Sequence, residues 1–293
     1  MKLEKHKEFL HRQKGKNNDE RERTMMKVAI VGNEQVKTQA VVKSLKRLLS
    51  QKQIDIDVEN PDVVLTVGGD GTLISAFHKY ENLLDQVRFI GIHTGHLGFY
   101  TDWRNFEIDK LVENLADKQP STASYPLLEL LITDKDHHKE KLLAINEATI
   151  KRLSKTLKAD VYIRDQFFES FKGDGLCVST PTGSTAYSKS LGGAVIHPRL
   201  KALQMTEIAS INNRVFRTLS SPIVISPDEW ITIKPEINDD DPCVITVDGN
   251  KYNHSHIEKI EYRISQHVIR FDKFQHTHFW NRVEDAFIGH EHD

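Results

Sequence analysis

At 293 residues, with 38% hydrophobic and 28% charged residues and a net charge of -2 from 40 basic and 42 acidic side chains, the chain has the make-up of a globular protein long enough for two ordinary domains. Its balanced charge gives no global field to attract nucleic acid or an anionic membrane, and no apolar stretch approaches the roughly 20 residues of a membrane span. Met1-Lys-Leu-Glu-Lys5 leads into charge rather than an apolar signal core, and Cys177 and Cys243 fit neither metal nor redox spacing, which points to a reduced, cytoplasmic protein.

Residues 1 to 25 alternate in charge sign and offer only Leu3, Phe9 and Leu10 as large apolar groups besides their methionines, so the expectation there is a charged, disordered leader, or a start of translation at Met25 or Met26. Met25-Met26 introduces a buried-strand pattern over 27–32. Apolar groups at helical spacing (Val41, Val42, Leu45, Leu48, Leu49) predict a helix over 36–49, and the continuous apolar run 63–67 predicts a parallel strand covered on both faces. A helix over 73–80, a strand over 88–92 and an amphipathic helix over 109–118 follow. Strands alternating with helices imply an open, mostly parallel α/β sheet. Ligands of such sheets sit beyond the carboxyl ends of the strands, where residues 68–72 and 93–98 both fall.

After about residue 120 the pattern becomes mainly β. Strand-like runs cover 127–133, 141–152, 158–164, 166–171, 223–225, 230–233, 243–247 and 257–271, punctuated by Pro222, Pro227, Pro235 and Pro242. A short closing helix is expected over 279–288. The predicted domains are therefore 26–123 plus about 270–293, α/β, and 124–269, mainly β. The acidic stretch 238–242 lacks the spaced ligands and glycine of a calcium loop and reads as a solvated turn. The fifteen histidines lack metal-ligand spacing; the pairs at 137/138, 254/256 and 290/292 read as solvated.

Two motifs carry chemistry. Gly68-Gly-Asp-Gly-Thr72 ends an apolar strand and puts one carboxylate on a backbone without side-chain bulk, where amide N–H groups can face phosphate oxygens. Asp70 could take the proton of a sugar hydroxyl as that oxygen attacks a phosphoryl group. The same residues would equally fit a tight turn with Asp70 capping the next helix. No phosphate-binding loop of the Gly-x-x-x-x-Gly-Lys-Ser/Thr type is present. The second motif, Ser179-Thr-Pro-Thr-Gly-Ser-Thr-Ala-Tyr-Ser-Lys-Ser-Leu-Gly-Gly193, crowds hydroxyls and glycines around Tyr187. That is the composition of a polar surface loop, or of one that closes over a heterocycle.

These residues, together with Thr94-Gly-His-Leu-Gly-Phe99, Asn146-Glu147, Gly173-Asp-Gly175 and Val247-Asp-Gly-Asn250 in the same order, closely resemble bacterial NAD kinases of the ATP-NAD kinase family, from about Met26 to near the C-terminus. The resemblance implies an α/β N-terminal domain with a mostly parallel sheet. It also implies a mainly β, sandwich-like C-terminal domain whose tail returns to the first, and a homodimer or homotetramer with sites shared between subunits. It further implies transfer of the γ-phosphoryl group of ATP, or of polyphosphate, to the adenosine ribose 2′-hydroxyl of NAD, with a divalent metal, Mg2+, on the donor phosphates. Carried over, Asp70 is the proton acceptor with Gly71 beside it, and Phe99 lines the adenine end. Asn146 and Glu147 bond the adenosine side. Thr185, Ala186, Tyr187, Ser188, Lys189 and Ser190 surround the nucleotide. Lys172, Asp174 and Ala209 belong to the nicotinamide side, partly donated by a neighbouring subunit, and Asn250 is a further NAD contact. The leader inherits no role. A lipid kinase shares the glycine-aspartate motif but neither the 179–193 run nor a membrane-binding face; a silent NADP sensor would not need Asp70.

Overall fold

The structure, a computed structural model, describes residues 26–95, 97–117, 122–152, 154–236, 243–254, 256–272 and 279–289. The leader, the acidic turn at 238–242 and the histidines at 290 and 292 lie outside the described residues. The chain opens with β1 (Lys27–Gly32), α1 (Val36–Gln51), β2 (Asp55–Ile56), β3 (Val63–Val67), α2 (Asp70–Lys79), β4 (Arg88–His93), β5 (Trp103–Arg104) and α3 (Ile108–Asp117). These strands pair in parallel, in the order β4-β3-β1-β2 with β5 beside the end of β4. All five residues of β3 are buried, because helices cover both faces of the sheet. On one side Val41, Leu45 and Leu49 of α1 and Leu111, Val112 and Leu115 of α3 pack on Val63, Leu65 and Ile92. On the other, Leu73, Ala76 and Phe77 of α2 pack on Ala29, Val64 and Phe89. Helix α2 starts three residues ahead of the apolar pattern, since its first turn holds Asp70, Gly71 and Thr72 and carries no buried apolar group.

The remaining strands are β6 (Thr122–Asp134), β7 (Lys139–Ala144), β8 (Glu147–Arg152), β9 (Leu157–Ile163), β10 (Gln166–Gly173), β11 (Gly175–Ser179), β12 (Leu203–Ile208), β13 (Ile223–Ile225), β14 (Ile231–Pro235), β15 (Cys243–Val247), β16 (Asn250–His254) and β17 (Ile257–Asp272), with the short α4 (Tyr187–Ser190) and the closing α5 (Phe279–Phe287). A fully antiparallel sheet, β13-β12-β11-β8-β15-β16, faces the antiparallel part of the larger sheet. Alternate residues of each interdigitate between them: Leu128, Leu130 and Ile132 from β6, Leu157, Ala159 and Val161 from β9, Cys243, Ile245 and Val247 from β15. This period of two is that of a sandwich core. The run 141–152, read from the sequence as one strand, is two. It breaks at Ile145 and Asn146, whose N–H groups go to the Asp248 carboxylate rather than to a neighbouring strand.

Strand β17 joins the two regions. One edge pairs β6 along both halves; the other pairs β14 in the first half and brings Phe271 alongside Phe89 of β4 in parallel near the end. Between Ile264 and Val268 the register with β6 slips, opposite Leu128 and Pro126. A bulge bends the strand at this point, and a proline, which has no N–H to offer, is tolerated beside it.

Candidate functional site

Gly68 sits at φ 151°, and a Cβ there would strike the Thr72 hydroxyl; the glycine lets β3 turn into α2 within two residues. The N-cap is Gly69, and the Asp70 carboxylate is engaged away from its own helix. Oδ2 accepts the Phe99 N–H at 2.9 Å and Oδ1 accepts the Tyr100 N–H at 2.9 Å. Asp70 therefore clamps the loop after β4. Gly98 has to be a glycine, because a Cβ would fall on that carboxylate. A carboxylate has about four lone-pair positions, so two remain for a ligand hydroxyl. The backbone beside it is bare: nothing lies within 4 Å of where a Cβ would stand on Gly69 or Gly71.

The same loop reaches the β region. Tyr100, buried, stacks on Phe271 (5.9 Å, 5°) and donates its hydroxyl to Asn146 Oδ1. Burial, then the Asp70 charge, keeps that hydroxyl protonated well above the usual tyrosine range, so it acts as a donor. Asn146 and Glu147 sit where the chain breaks between β7 and β8, and the break is tied by Asp248. Its fully buried carboxylate accepts the N–H groups of Ile145 (2.8 Å), Asn146 (2.7 Å) and Glu147 (3.2 Å), and meets His78 Nε2 on α2 at 3.0 Å. Asp248 itself adopts φ 49° and returns its N–H to the Glu147 carbonyl at 3.0 Å. Burial alone would lower the His78 value, but the hydrogen bonds to Asp248 and Glu81 outweigh it and hold it at about 9. Helix α2, which carries Asp70, is thus pinned to the strand break that carries Asn146.

The run 179–193 is not a surface loop. Ser179, Thr180, Thr182, Gly183, Ser184 and Ser188 are all buried. Thr180 donates its hydroxyl to the Ile145 carbonyl (2.6 Å) and its N–H to the Asn146 carbonyl (2.9 Å), while Gly183 lies so close to Asn146 that a Cβ would collide with its backbone. Tyr187 gives its N–H to Glu147, and its hydroxyl receives Lys151 Nζ at 2.8 Å. Burial first, then the Asp248 charge, pushes Glu147 up to about 7. Thr185 and Ala186 are half-buried beside it, and Ser190 is exposed. Lys189 Nζ lies 4.0 Å from the ring centre of Phe287 on α5, and that ring stacks on Phe99 (5.9 Å). Ser188 points inward: its hydroxyl meets Gln204 Nε2 (2.9 Å) and Thr206 Oγ1 (3.3 Å) with none of its surface exposed.

A second group stands apart from the first. Asp174 and Ala209, both exposed, flank the paired residues Gly175 and Ile208, and Lys172 lies one turn away with Nζ 4.5 Å from the Phe216 ring. Gly175 pairs Lys151 whereas Ser179 pairs Glu147, so the two groups occupy opposite ends of β8, about 13 Å apart along the strand. Asn250 is exposed at the start of β16, opposite Val247. Among the described residues, Asp134, Asp136 and His138 bring three potential metal donors together. They occupy the β6–β7 turn, where Asp134 accepts the N–H groups of the other two, at the end of β7 away from Asn146.

Sequence models of the ATP-NAD kinase N-terminal and C-terminal domains match residues 4–119 and 145–271. The NAD kinase of Lactobacillus johnsonii is 80% identical over 268 residues, covering 92% of this chain and 99% of that protein. This chain belongs to the ATP-NAD kinase family. Its fold is shared by the yeast NADH kinase solved in complex with NADH (TM-score 0.78, 21% identity, 93% of this chain and 90% of that one). It is also shared by an Archaeoglobus fulgidus NAD kinase solved in complex with ATP (TM-score 0.69, 22% identity, 89% and 98%). The N-terminal match begins at residue 4, ahead of Met26, where the sequence reading started the resemblance. The C-terminal match begins at Ile145, the first of the amides held by Asp248. Sequence reading missed His78, Tyr100 and Thr180 and gave Asp248 no role. The one available signal was Asp248 itself, an acid set before a glycine where the apolar run 243–247 ends.

Proposed function

We propose that this kinase transfers the γ-phosphoryl group of ATP to the 2′-hydroxyl of the adenosine ribose of NAD, giving NADP, with Asp70 as general base. The observation that carries this reading is the Asp70 carboxylate, fixed by two amides on a backbone bare of side chains. As the 2′-oxygen bonds to phosphorus, its proton passes to Asp70 and the bond to the departing ADP oxygen breaks. The protein contributes position and electrostatics rather than covalent chemistry. Asn146 and Glu147 are assigned to the adenosine side, and the buried Glu147 Oε2, with no hydrogen-bond partner, suits a ligand hydroxyl or amine. Gly71, Phe99, Thr185, Ala186, Tyr187, Lys189 and Ser190 line the nucleotide, while Ser188 supports the loop from beneath. Asn250 is a peripheral contact.

Lys172, Asp174 and Ala209 are assigned to the nicotinamide end of a site completed by a second subunit of a homo-oligomer. Val215 at 81% exposure, with Leu219 also exposed, supplies an apolar surface on the segment that places Phe216 against Lys172. The chain is assigned to the cytoplasm; no helix among the described residues is long and apolar enough to cross a membrane. The donor set fits Mg2+ carried by ATP: this ion keeps several waters and takes one or two carboxylates plus substrate phosphates, and Asp70 retains open lone pairs for such a role. When bound, it would neutralise charge on the phosphoryl oxygens.

Purified protein incubated with NAD and ATP-Mg is expected to form NADP, and Asp70→Asn to lower kcat by ~10²–10⁴-fold with NAD affinity little changed. Near-normal turnover in that variant would remove Asp70 from the role of base. A loss confined to thermal stability would make it a structural clamp.

A further inference from the structure

Helix α5 buries one side chain among its described residues, and that side chain is a cation, Arg282. A buried guanidinium needs partners for its donors. Nη1 donates to the carbonyls of Phe99 (2.7 Å) and Gly98 (3.2 Å), and Nη2 pairs with Asp102. The Gly98 carbonyl shares a peptide plane with the Phe99 N–H, and the Phe99 carbonyl shares one with the Tyr100 N–H. Those two N–H groups are the donors that hold Asp70. Each of two successive peptide groups is therefore gripped at both edges, by the guanidinium on its oxygen and by the Asp70 carboxylate on its nitrogen.

We infer that Arg282 is a positioning residue for Asp70, acting through the peptide groups 98–99 and 99–100. Gly98 is required because a Cβ would collide with the carboxylate, yet a glycine leaves the adjoining peptides free to rotate. Arg282 removes that freedom. Hydrogen bonds in a chain also polarise one another, so a cation on the carbonyls makes the opposite N–H groups firmer donors. Lysine cannot reproduce this, since its ammonium is a point charge without the planar spread of guanidinium donors.

The inference rests on Asp70 being the base. The test compares Arg282→Lys with Asp102→Asn in NADP formation, with thermal melts to establish folding. Asp102→Asn keeps an oxygen for Nη2 and leaves Nη1 on the carbonyls. Because misplacing a catalytic group by an ångström can cost ~10²-fold, Arg282→Lys is expected to lower kcat by about 10–100-fold with KM for NAD within about threefold. Asp102→Asn should stay within about threefold in both. Normal kcat in Arg282→Lys, a loss in KM instead of kcat, or equal losses in the two variants would overturn the inference and make Arg282 a docking residue of α5. Should Arg282→Lys fail to melt cooperatively, Arg282→Gln, which keeps two N–H donors, replaces it; failure of both to fold would assign Arg282 to the fold alone. An inactive Asp70→Asn beside a normal Arg282→Lys sinks only this inference, whereas a fully active Asp70→Asn sinks the reading of the base and this route with it.

Discussion

Glu147 brings a carboxyl to the start of β8 in surroundings that disfavour its charge. Burial, then the neighbouring Asp248, lifts it from 4.5 to about 7. The folded protein therefore holds this proton more tightly than the unfolded chain does. Its contribution to stability is fully present below pH 4.5 and is lost as pH rises through about 7. Glu147→Gln, neutral at every pH, is expected to flatten the fall in Tm between pH 5 and pH 8 by on the order of 1 kcal/mol or more, about 2–4 °C. Thermal melts of both proteins across that range check it; identical slopes would mean Glu147 is already ionised in the native state. NAD affinity should weaken in the same variant, because an amide whose oxygen keeps the Tyr187 N–H presents an NH2 group where the free Oε2 stood.

At the scale of elements, the break between β7 and β8 positions Asn146 and Glu147, the residues proposed for the adenosine side, and it was not legible in the sequence. Lys141 to Arg152 reads as one strand because its apolar residues continue past Ile145. The side chain that interrupts it lies a hundred residues later, at Asp248. Elements whose apolar pattern matches their own burial were legible: β1, β3, β13 and β15 begin and end where the pattern predicts. Asp70 was found through its glycines, but its grip on residues 99 and 100 is a contact between distant segments that no local pattern encodes. The His78–Asp248 pair that fastens α2 to the strand break carries its own pH signature. Its raised value, about 9 against 6.5, makes its contribution complete below pH 6.5 and lost as pH passes through about 9. Wild-type Tm should fall between pH 7 and pH 10, and His78→Asn should be less stable at pH 7 by ~1–3 kcal/mol with a shallower fall. Equal slopes in the two proteins would place the loss in other titrating groups.

For the whole molecule, the separation of Asp174 from Glu147 along β8 bears on subunit sharing. If Asp174 of one subunit serves the site whose base is Asp70 of another, then Asp70→Asn and Asp174→Ala proteins, each weakly active or inactive, should complement when mixed. Some mixed interfaces then hold one site with both native residues, and NADP formation should rise above that of either variant alone. The comparison is made once subunit exchange has been verified, by mass-tagged chains for example. No recovery would place both residues within one subunit's site. Asp174 stands exposed at a strand end, and one polar residue rarely holds an interface together, so its removal should leave the proposed homo-oligomer intact.

The bent strand β17 has a consequence for inheritance rather than chemistry. Its first half completes the sandwich, and its last residues cover the β4 side of the parallel sheet. Phe271, one residue from its end, stacks on Tyr100 in the Asp70 loop. A gene split near residue 120 would leave the first product with β4 as an open sheet edge, a template for mispairing with other chains. The second product would expose the matching edge of β17, whose last residues stay paired to β6 on their other side. Fusion of the two coding halves is therefore written into the fold: a strand from the second half closes the edge that β4 leaves in the first, and neither half can be traded for an unrelated module without redesigning that one strand.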